Sequence, residues 1–446
     1  MPQIRPFRAL RYDVSAVGDV AAIVAPPYDV IEPPQRARLI ARHPANVVRL
    51  DQPVEAPGDG PDDRYRRAAR LLAAWRSDGT LVKDAHPAIY VYEQKYRVPG
   101  TDRERTQCGF FGRLRLEALG PGAGVLAHER TLSGPREDRY KLLRATGVNT
   151  SPVVVLFSDR SGQANALLAA MTAKPADLDV TDDDGVRHRL WTVPADDRGA
   201  DGERANREVA DALIGLAANG PLTIADGHHR YETAVRYRDE RRMTRSCEED
   251  PAFDYLLTLF LESSGQQLTV LPTHRLVRGI GSTGAARLLS DASELFEVER
   301  VPSAEQLVED FEALALESGG RGCLGLWTRA GGARLTARRE RFESLLPRGG
   351  SALRALDVTL LSAALERLCG IDSEAVAGGA IGYTKAAAEA VAAVNRDDGF
   401  DAAWLLEPTP VAAIEAVARE GDVMPQKSTY FYPKALSGLV ISPHEW

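Results

Sequence analysis

The string Ile224-Ala225-Asp226-Gly227-His228-His229-Arg230-Tyr231-Glu232-Thr233 joins a short apolar run to a polar segment with helical spacing. A strand that ends in a glycine turn and opens into a helix makes an oxyanion site. The first-turn N–H groups have no carbonyl partners within the helix, the helix dipole favours negative charge, and glycine lets a ligand approach the main chain. Arg230 adds a planar fork suited to phosphate or carboxylate. Asp226, at the strand end, suits a substrate hydroxyl or a magnesium ion. His228 and His229 are adjacent, so their side chains diverge, which argues against one metal held by both. The same string also reads as an Asp N-cap followed by two histidines in ordinary hydrogen bonds.

A second cluster runs His128-Glu129-Arg130-Thr131, then Gly134-Pro135-Arg136, then Asp138-Arg139-Tyr140-Lys141-Leu142-Leu143-Arg144. Glu129 is a candidate general base, because a carboxylate at a strand end beside cations can take a hydroxyl proton once desolvation tunes it. The plainer reading is a surface strand leading into a solvated basic helix. This is not the HExxH zinc motif, since the residue four after His128 is Leu132.

A third segment, Met424-Pro425-Gln426-Lys427-Ser428-Thr429-Tyr430-Phe431-Tyr432-Pro433-Lys434, concentrates cations, hydroxyls and aromatics. Lys427 with Ser428 and Thr429 suits an anion, and the aromatics suit a base or a pocket wall. The alternative is a strand tucked into the core. The rigid string Ala25-Pro26-Pro27-Tyr28-Asp29-Val30-Ile31 reads as a structural turn that also has the stiffness of a functional loop. No Walker loop, strand-borne GxGxxG or GxSxG elbow is present.

Several elements must position these groups. Residues 62–79 carry Tyr65, Ala68, Ala69, Leu72 and Trp75 at helical spacing before Asp78-Gly79, which predicts an amphipathic helix and a turn. Ile89 to Tyr96, a turn at Val98-Pro99-Gly100, and Gln107 to Leu114 predict a long β-hairpin. A second region begins near Val125, with a strand at Val153 to Phe157 and surface hairpins in the polar stretch 159–205. A helix from about Asn206 to Ala218 precedes a buried strand at Leu222 to Ala225, and helical spacing returns from Tyr231 to Arg242. Leu256 to Leu261 and Leu268 to Leu271 predict another hairpin. Beyond Pro272, helices near 304–317, 351–369, 384–395 and 410–419 alternate with strands near 323–328 and 402–406, which predicts an α/β domain. The expected division is an α+β region over 1–120, a core over 121–270 that carries both chemical motifs, and a C-terminal α/β domain over 271–446.

Composition bounds the rest. The chain has 446 residues, 44% hydrophobic and 26% charged, enough for two or three cores and ordinary for a globular protein. Four cysteines without a CxxC pair point to a reducing compartment, and neither a signal peptide nor a long apolar span is visible, so a cytoplasmic location and no membrane contact are expected. A net charge of −8 disfavours duplex DNA while leaving small anionic ligands open.

APPYDVI at 25–31, HERT at 128–131, KLLRATGVNTSP at 141–152, ADGHHRYETA at 225–234, LPTHRLV at 271–277 and MPQKSTYFYPK at 424–434 together resemble the prokaryotic family called domain of unknown function 1015. The GHHR string is similar to the nucleotide-binding box of ParB-like proteins, among them free-serine kinases with a catalytic glutamate upstream of DGHHR. The resemblance implies a ParB/sulfiredoxin-like nucleotide-binding core with additional N- and C-terminal α/β regions. It implies Glu129 as base and the DGHHR turn as phosphate and substrate cradle. The expected catalytic residues are therefore Glu129, Asp226 and His228, with Gly227, His229 and Arg230 and, from the residue types of the third segment, Lys427, Ser428 and Thr429 as nucleotide or phosphate ligands. His128, Thr131 and Arg144 would contact substrate, and ATP or ADP with Mg2+ would be the cofactors. The resulting expectation is phosphoryl transfer to a small alcohol, with free L-serine favoured and homodimerisation open. Two alternatives stand beside it: a nucleotide-binding regulatory protein without phosphotransfer, and a metal-dependent phosphohydrolase or nuclease whose metal ligands are unknown.

Overall fold

The computed structural model describes the chain apart from residues 121, 130, 132, 197–200, 245–248, 267, 315–321 and 397. Arg130, Leu132, Cys247, Gln267 and the end of the helix expected at 304–317 lie outside the described residues. The fold is mixed α/β and divides into two compact units. The first takes Met1–Leu126, Thr131–Leu268 and Pro433–Trp446, and the second takes Ala127–Arg130 and Thr269–Tyr432.

The first unit is built on a nine-stranded sheet. Its order is Val125–Leu126, Leu222–Asp226, Val153–Phe157, Tyr255–Glu262, Glu104–Arg115, Ala88–Arg97, Arg187–Pro194 and Leu178–Thr181, with Ile4–Arg5 also paired to Glu104–Arg115. The sheet is mixed: Leu222–Asp226 runs parallel to Val125–Leu126, Val153–Phe157 runs parallel to Tyr255–Glu262, and the other pairs are antiparallel. Central strands Val153–Phe157 and Tyr255–Glu262 are buried at every position, which explains why their sequences are continuous apolar runs rather than alternations. The helix Asp63–Ser77 buries Tyr65, Ala68, Leu72 and Trp75, the stripe that its spacing predicts. The long hairpin also forms as read, with Tyr90 opposite Phe111 and Arg97 opposite Glu104.

Three expectations change. The hairpin of 256–261 with 268–271 does not form, because Tyr255–Glu262 already has Glu104–Arg115 on one edge and Val153–Phe157 on the other. Thr269–Leu271 instead pairs with Tyr430–Tyr432 inside the second unit. The stretch 159–205 holds a helix, Gln163–Thr172, and its hairpin Leu178–Thr181/Arg187–Pro194 extends the main sheet through backbone pairing with Ala88–Arg97. Strands from both sides of residue 120 share this sheet, so 1–126 and 131–268 belong to one unit rather than being divided near residue 120.

The last fourteen residues, Pro433–Trp446, also belong to the first unit. Ser442–Pro443 pairs with Val148–Asn149, and the buried Arg113 guanidinium donates to the Ser442 hydroxyl at 2.9 Å, to the Pro443 carbonyl, and to the Glu445 carbonyl at 3.1 Å. These acceptors offset part of the cost of burying that cation, whose pKa burial still pushes down to about 10.

The second unit has a fully antiparallel six-stranded sheet. The order is Phe296–Val301, Gly331–Ala337, Cys323–Thr328, Ala402–Leu406, His274–Val277 and Ile381–Thr384. Ala304–Leu314 and Ala387–Asn395 contribute Leu307, Phe311, Ala390 and Val394 to a core shared with Leu405. The helix expected over 351–369 is broken by an extended Leu356 into Ser351–Ala355 and Asp357–Cys369. Among the described residues, no helix is long and apolar enough to cross a membrane.

Gly109 marks how closely the first sheet is packed. A Cβ there would lie 2.3 Å from the Phe260 carbonyl oxygen and 2.7 Å from Leu261 Cδ2. Gly109→Ala is therefore expected to destabilise the protein by about 1–3 kcal/mol through overpacking, read as a lower urea midpoint. An unchanged midpoint would show that the strands separate freely at this point.

Candidate functional site

The DGHHR turn is assembled by the first sheet. Leu222–Asp226 pairs with Val153–Phe157 through a register shift between Ile224 and Asp226, an irregularity of the kind that re-aims a side chain at a strand end. Gly227 follows at φ +93°, and a Cβ there would sit 3.0 Å from Arg230 Nε and 3.1 Å from Val153 Cγ2. Glycine is required twice here, once for the backbone conformation and once so that Arg230 can fold back over the turn. The helix His228–Thr244 then starts, and its first bond runs from Tyr231 N–H to the Gly227 carbonyl at 2.9 Å.

Two cations converge on one carboxylate. Asp226 Oδ2 accepts from Arg230 Nη2, and Oδ1 accepts from Lys434 Nζ. Side-chain exposure is 12% for Asp226, 9% for Arg230 and 12% for Lys434, so all three charges are almost out of water. The second arm of the Arg230 fork, Nη1, donates to the Pro152 carbonyl. Burial alone would raise the Asp226 carboxyl, but Lys434, Arg230 and His228 hold it well below the ordinary range. Burial likewise opposes the Arg230 charge, and Asp226, Asp29, Tyr28 and Asp51 together keep it above its ordinary value.

Those last residues form a polar layer beside the turn. Asp51 accepts from Thr150 Oγ1 at 2.6 Å, from Ser437 Oγ at 3.3 Å and from Arg139 Nη1 at 3.4 Å. The Arg139 guanidinium lies 4.0 Å from the Tyr28 ring centre and also holds Asp138 through Nε at 2.9 Å. Burial, with Asp29 adding to it, pushes the Tyr28 hydroxyl up to about 12. Asp51, Arg139, Thr150, Ser151, Arg230 and Thr233 line a cavity of about 50 Å³, room for a few waters or the end of a ligand. Burial lowers the His229 pKa despite Asp29 and Glu232, so its imidazole is neutral at neutral pH.

Sequence reading selected part of this layer and missed part. Asp226, Gly227, His229 and Arg230 are in it, and His228 is buried at the helix start. Thr131 donates to Glu232 at 2.5 Å, where Arg136 Nη1 also binds at 2.8 Å. Arg144 is 64% exposed and faces Glu240 at 3.5 Å. Tyr28, Asp29, Asp51, Arg139, Thr150 and Lys434 were not selected. Five of them lie in or beside strings already singled out, whereas Asp51, in Leu50-Asp51-Gln52, carries no local signal.

The other expected site residues lie in the second unit. Glu129 bridges to Met424, whose N–H donates to the His128 carbonyl at 2.8 Å. Glu129 Oε1 accepts the Lys427 backbone N–H at 3.3 Å, and Lys427 adopts φ +55°. It is therefore the Lys427 main chain that meets Glu129. The Lys427 ammonium lies 6.0 Å from the Tyr383 ring centre. Ser428 turns its hydroxyl onto the Pro425 carbonyl of its own loop, and His128 Nε2 meets Thr429 Oγ1 at 3.1 Å.

Among the described residues, no group of three or more His, Cys, Asp or Glu side chains is arranged to hold a metal ion. Asp226 would bind magnesium only by releasing Lys434 or Arg230, so it does not fit that role as it stands. A phosphate oxygen suits the same point better, since it would meet two cations at the start of a helix.

The family model described as Protein of unknown function (DUF1015) matches residues 4–359. No curated protein sequence matches the chain. Among solved structures, the chain is similar to a conserved hypothetical protein from Pyrococcus furiosus, at 12% identity and TM-score 0.33, covering 69% of this chain and 87% of that one. It is also similar to a free serine kinase in complex with AMP, at 12% identity and TM-score 0.34, covering 71% and 92%. A third is SbnI with a C-terminal truncation from Staphylococcus aureus, at 10% identity and TM-score 0.33, covering 71% and 83%.

Two outcomes follow for the turn. Gly227→Ala is expected to cost about 1–3 kcal/mol, from the positive φ and from crowding of Arg230, measured by chemical denaturation. Asp226→Asn leaves two buried cations without their carboxylate and is expected to cost about 3–5 kcal/mol at pH 7. Because the folded-state pKa of Asp226 is depressed, its contribution is present above the unfolded value of about 3.9 and is lost as pH falls below it. Melting curves of wild type and Asp226→Asn should thus converge toward acid pH; a constant gap down to about pH 2 would refute the ion-pair assignment.

Proposed function

The chain belongs to the DUF1015 family of proteins of unknown function, and from that premise we propose that it transfers a phosphoryl group from ATP or ADP to the hydroxyl of a small metabolite, with free L-serine the favoured acceptor. The observation that supports this reading is the convergence of Arg230 and Lys434 on Asp226 at the start of a 17-residue helix. Placing two cations at one nearly dry point is costly unless an anion is there. A nucleotide phosphate can share the cations with Asp226, so its arrival adds partners to charges already buried.

The residues divide the work by their chemistry. Arg230 offers a flat fork and Lys434 a point charge, and both strengthen as negative charge moves onto the transferred group. The N–H groups at the start of His228–Thr244 bind equatorial oxygens without reorganising. Asp226 acts as a positioning residue that holds the cations in register. Neutral His229 can donate or accept one hydrogen bond without adding charge. Glu129 is the base in this reading, assigned from the order of motifs in the sequence. Magnesium, when it accompanies the nucleotide, supplies charge neutralisation on the phosphates.

The test is phosphorus NMR of purified protein with serine, magnesium and ATP or ADP, in which a phosphoserine resonance should grow with time. Arg230→Met and Lys434→Met are each expected to lower turnover by about 100-fold or more while leaving the melting curve cooperative. Glu129→Gln should lower kcat by about 100- to 10,000-fold, and full turnover would remove Glu129 from the base role while leaving the phosphate site intact. Calorimetric nucleotide binding with no acceptor-dependent turnover would replace the kinase by a nucleotide-binding regulator, and absence of both would end the proposal.

A further inference from the structure

The second unit has a pocket of about 570 Å³, partly open to solvent and bounded by Asp357–Cys369, Ser373–Ala377, the strands His274–Val277 and Ile381–Thr384, and residues 422–426. This is the size of a small-molecule pocket. Its wall is mainly apolar, with Leu353, Leu365, Ile371, Val376, Ile381 and Met424 contributing aliphatic surface. None of the residues given to nucleotide binding above lines it except the loop that leads to Lys427.

Two polar groups in the wall are poorly served by the protein. Arg275 is 5% exposed and directs Nη1 to the Thr273 carbonyl and Nη2 to the Gln426 and Lys427 carbonyls, at 3.3 and 3.1 Å. Its guanidinium stands 4.8 Å from the Tyr383 ring centre, and no carboxylate of the described residues forms an ion pair with it. Burial pushes its pKa down to about 10, with Tyr383 and Glu129 opposing that through space. Thr359 is 1% exposed, and among the described residues its Oγ1 has no hydrogen-bond partner, not even the carbonyl one turn earlier that a helical threonine commonly uses. A buried cation without an anion and a buried hydroxyl without a partner each cost free energy that an enclosed ligand can recover.

We infer that this cavity binds an aliphatic monocarboxylate, its carboxylate on Arg275, its chain against the apolar wall, and Thr359 within the pocket as a second polar anchor. A single anionic oxygen pair is favoured over a phosphate, because the three carboxylates Glu366, Asp372 and Asp422 in the lining outnumber its cations Arg275 and Arg348 and repel a doubly charged head. Binding there requires no phosphoryl-transfer chemistry, although the loop that Arg275 holds also carries Lys427, whose N–H meets Glu129.

Isothermal titration calorimetry of the full chain with octanoate tests this. Saturable binding of one octanoate per chain is expected, with octanamide and Arg275→Met each weakening it at least about tenfold. Val376→Trp fills the cavity and should abolish binding while the protein still melts cooperatively, so it decides the matter if Arg275→Met fails to fold. No saturable heat up to about 10 mM octanoate, undiminished binding by Val376→Trp, or octyl phosphate binding as tightly as octanoate would each overturn the assignment.

Discussion

Everything in the first unit's site depends on keeping three charges together with little water. Asp226 can stay ionised there only because Arg230 and Lys434 each hold one of its oxygens, and each cation is tolerable only because Asp226 is ionised. The remaining features serve that balance. The strand irregularity aims Asp226, Gly227 leaves the space into which Arg230 folds, the Pro152 carbonyl fixes the second arm of the fork, and the return of Pro433–Trp446 to the first unit delivers Lys434.

The large sheet gives this arrangement its rigidity. Val153–Phe157 and Tyr255–Glu262 have neighbours on both edges and both faces, so the strand ends from which Pro152 and Asp226 act are anchored in fully buried backbone. Unanchored cations would lose rotamer entropy at each use, whereas Asp226 holds Arg230 and Lys434 before any ligand arrives. The second unit follows a different principle. Its cavity leaves Arg275 with carbonyl partners and an aromatic face in place of a carboxylate, which stores binding capacity rather than cancelling it.

Much of the local structure was legible because local rules decide it. The stripe of Tyr65, Ala68, Leu72 and Trp75, the hairpin around Gly100, and the strand-glycine-helix pattern at 222–244 each follow from periodicity and turn chemistry within one segment. The 256–271 hairpin misled for a definite reason. Its two apolar runs and intervening Ser-Ser-Gly satisfy the local rule, but that rule does not register that both edges of Tyr255–Glu262 are taken by strands far away in the chain. The choice of Lys427 over Lys434 has the same origin: both lie in one cation-rich segment, and only the path of the backbone places one in each unit.

By itself the sequence determined the mixed α/β class, the strand-glycine-helix turn at Asp226 to Arg230 and the need for glycine at 227, since these rest on properties of neighbouring residues. Tertiary structure alone decided that Tyr28, Asp51, Arg139 and Thr150 surround Arg230, and that Lys434 rather than Lys427 shares Asp226. Buried charges must find partners wherever the fold brings them, and separation along the chain carries no record of which ones will meet.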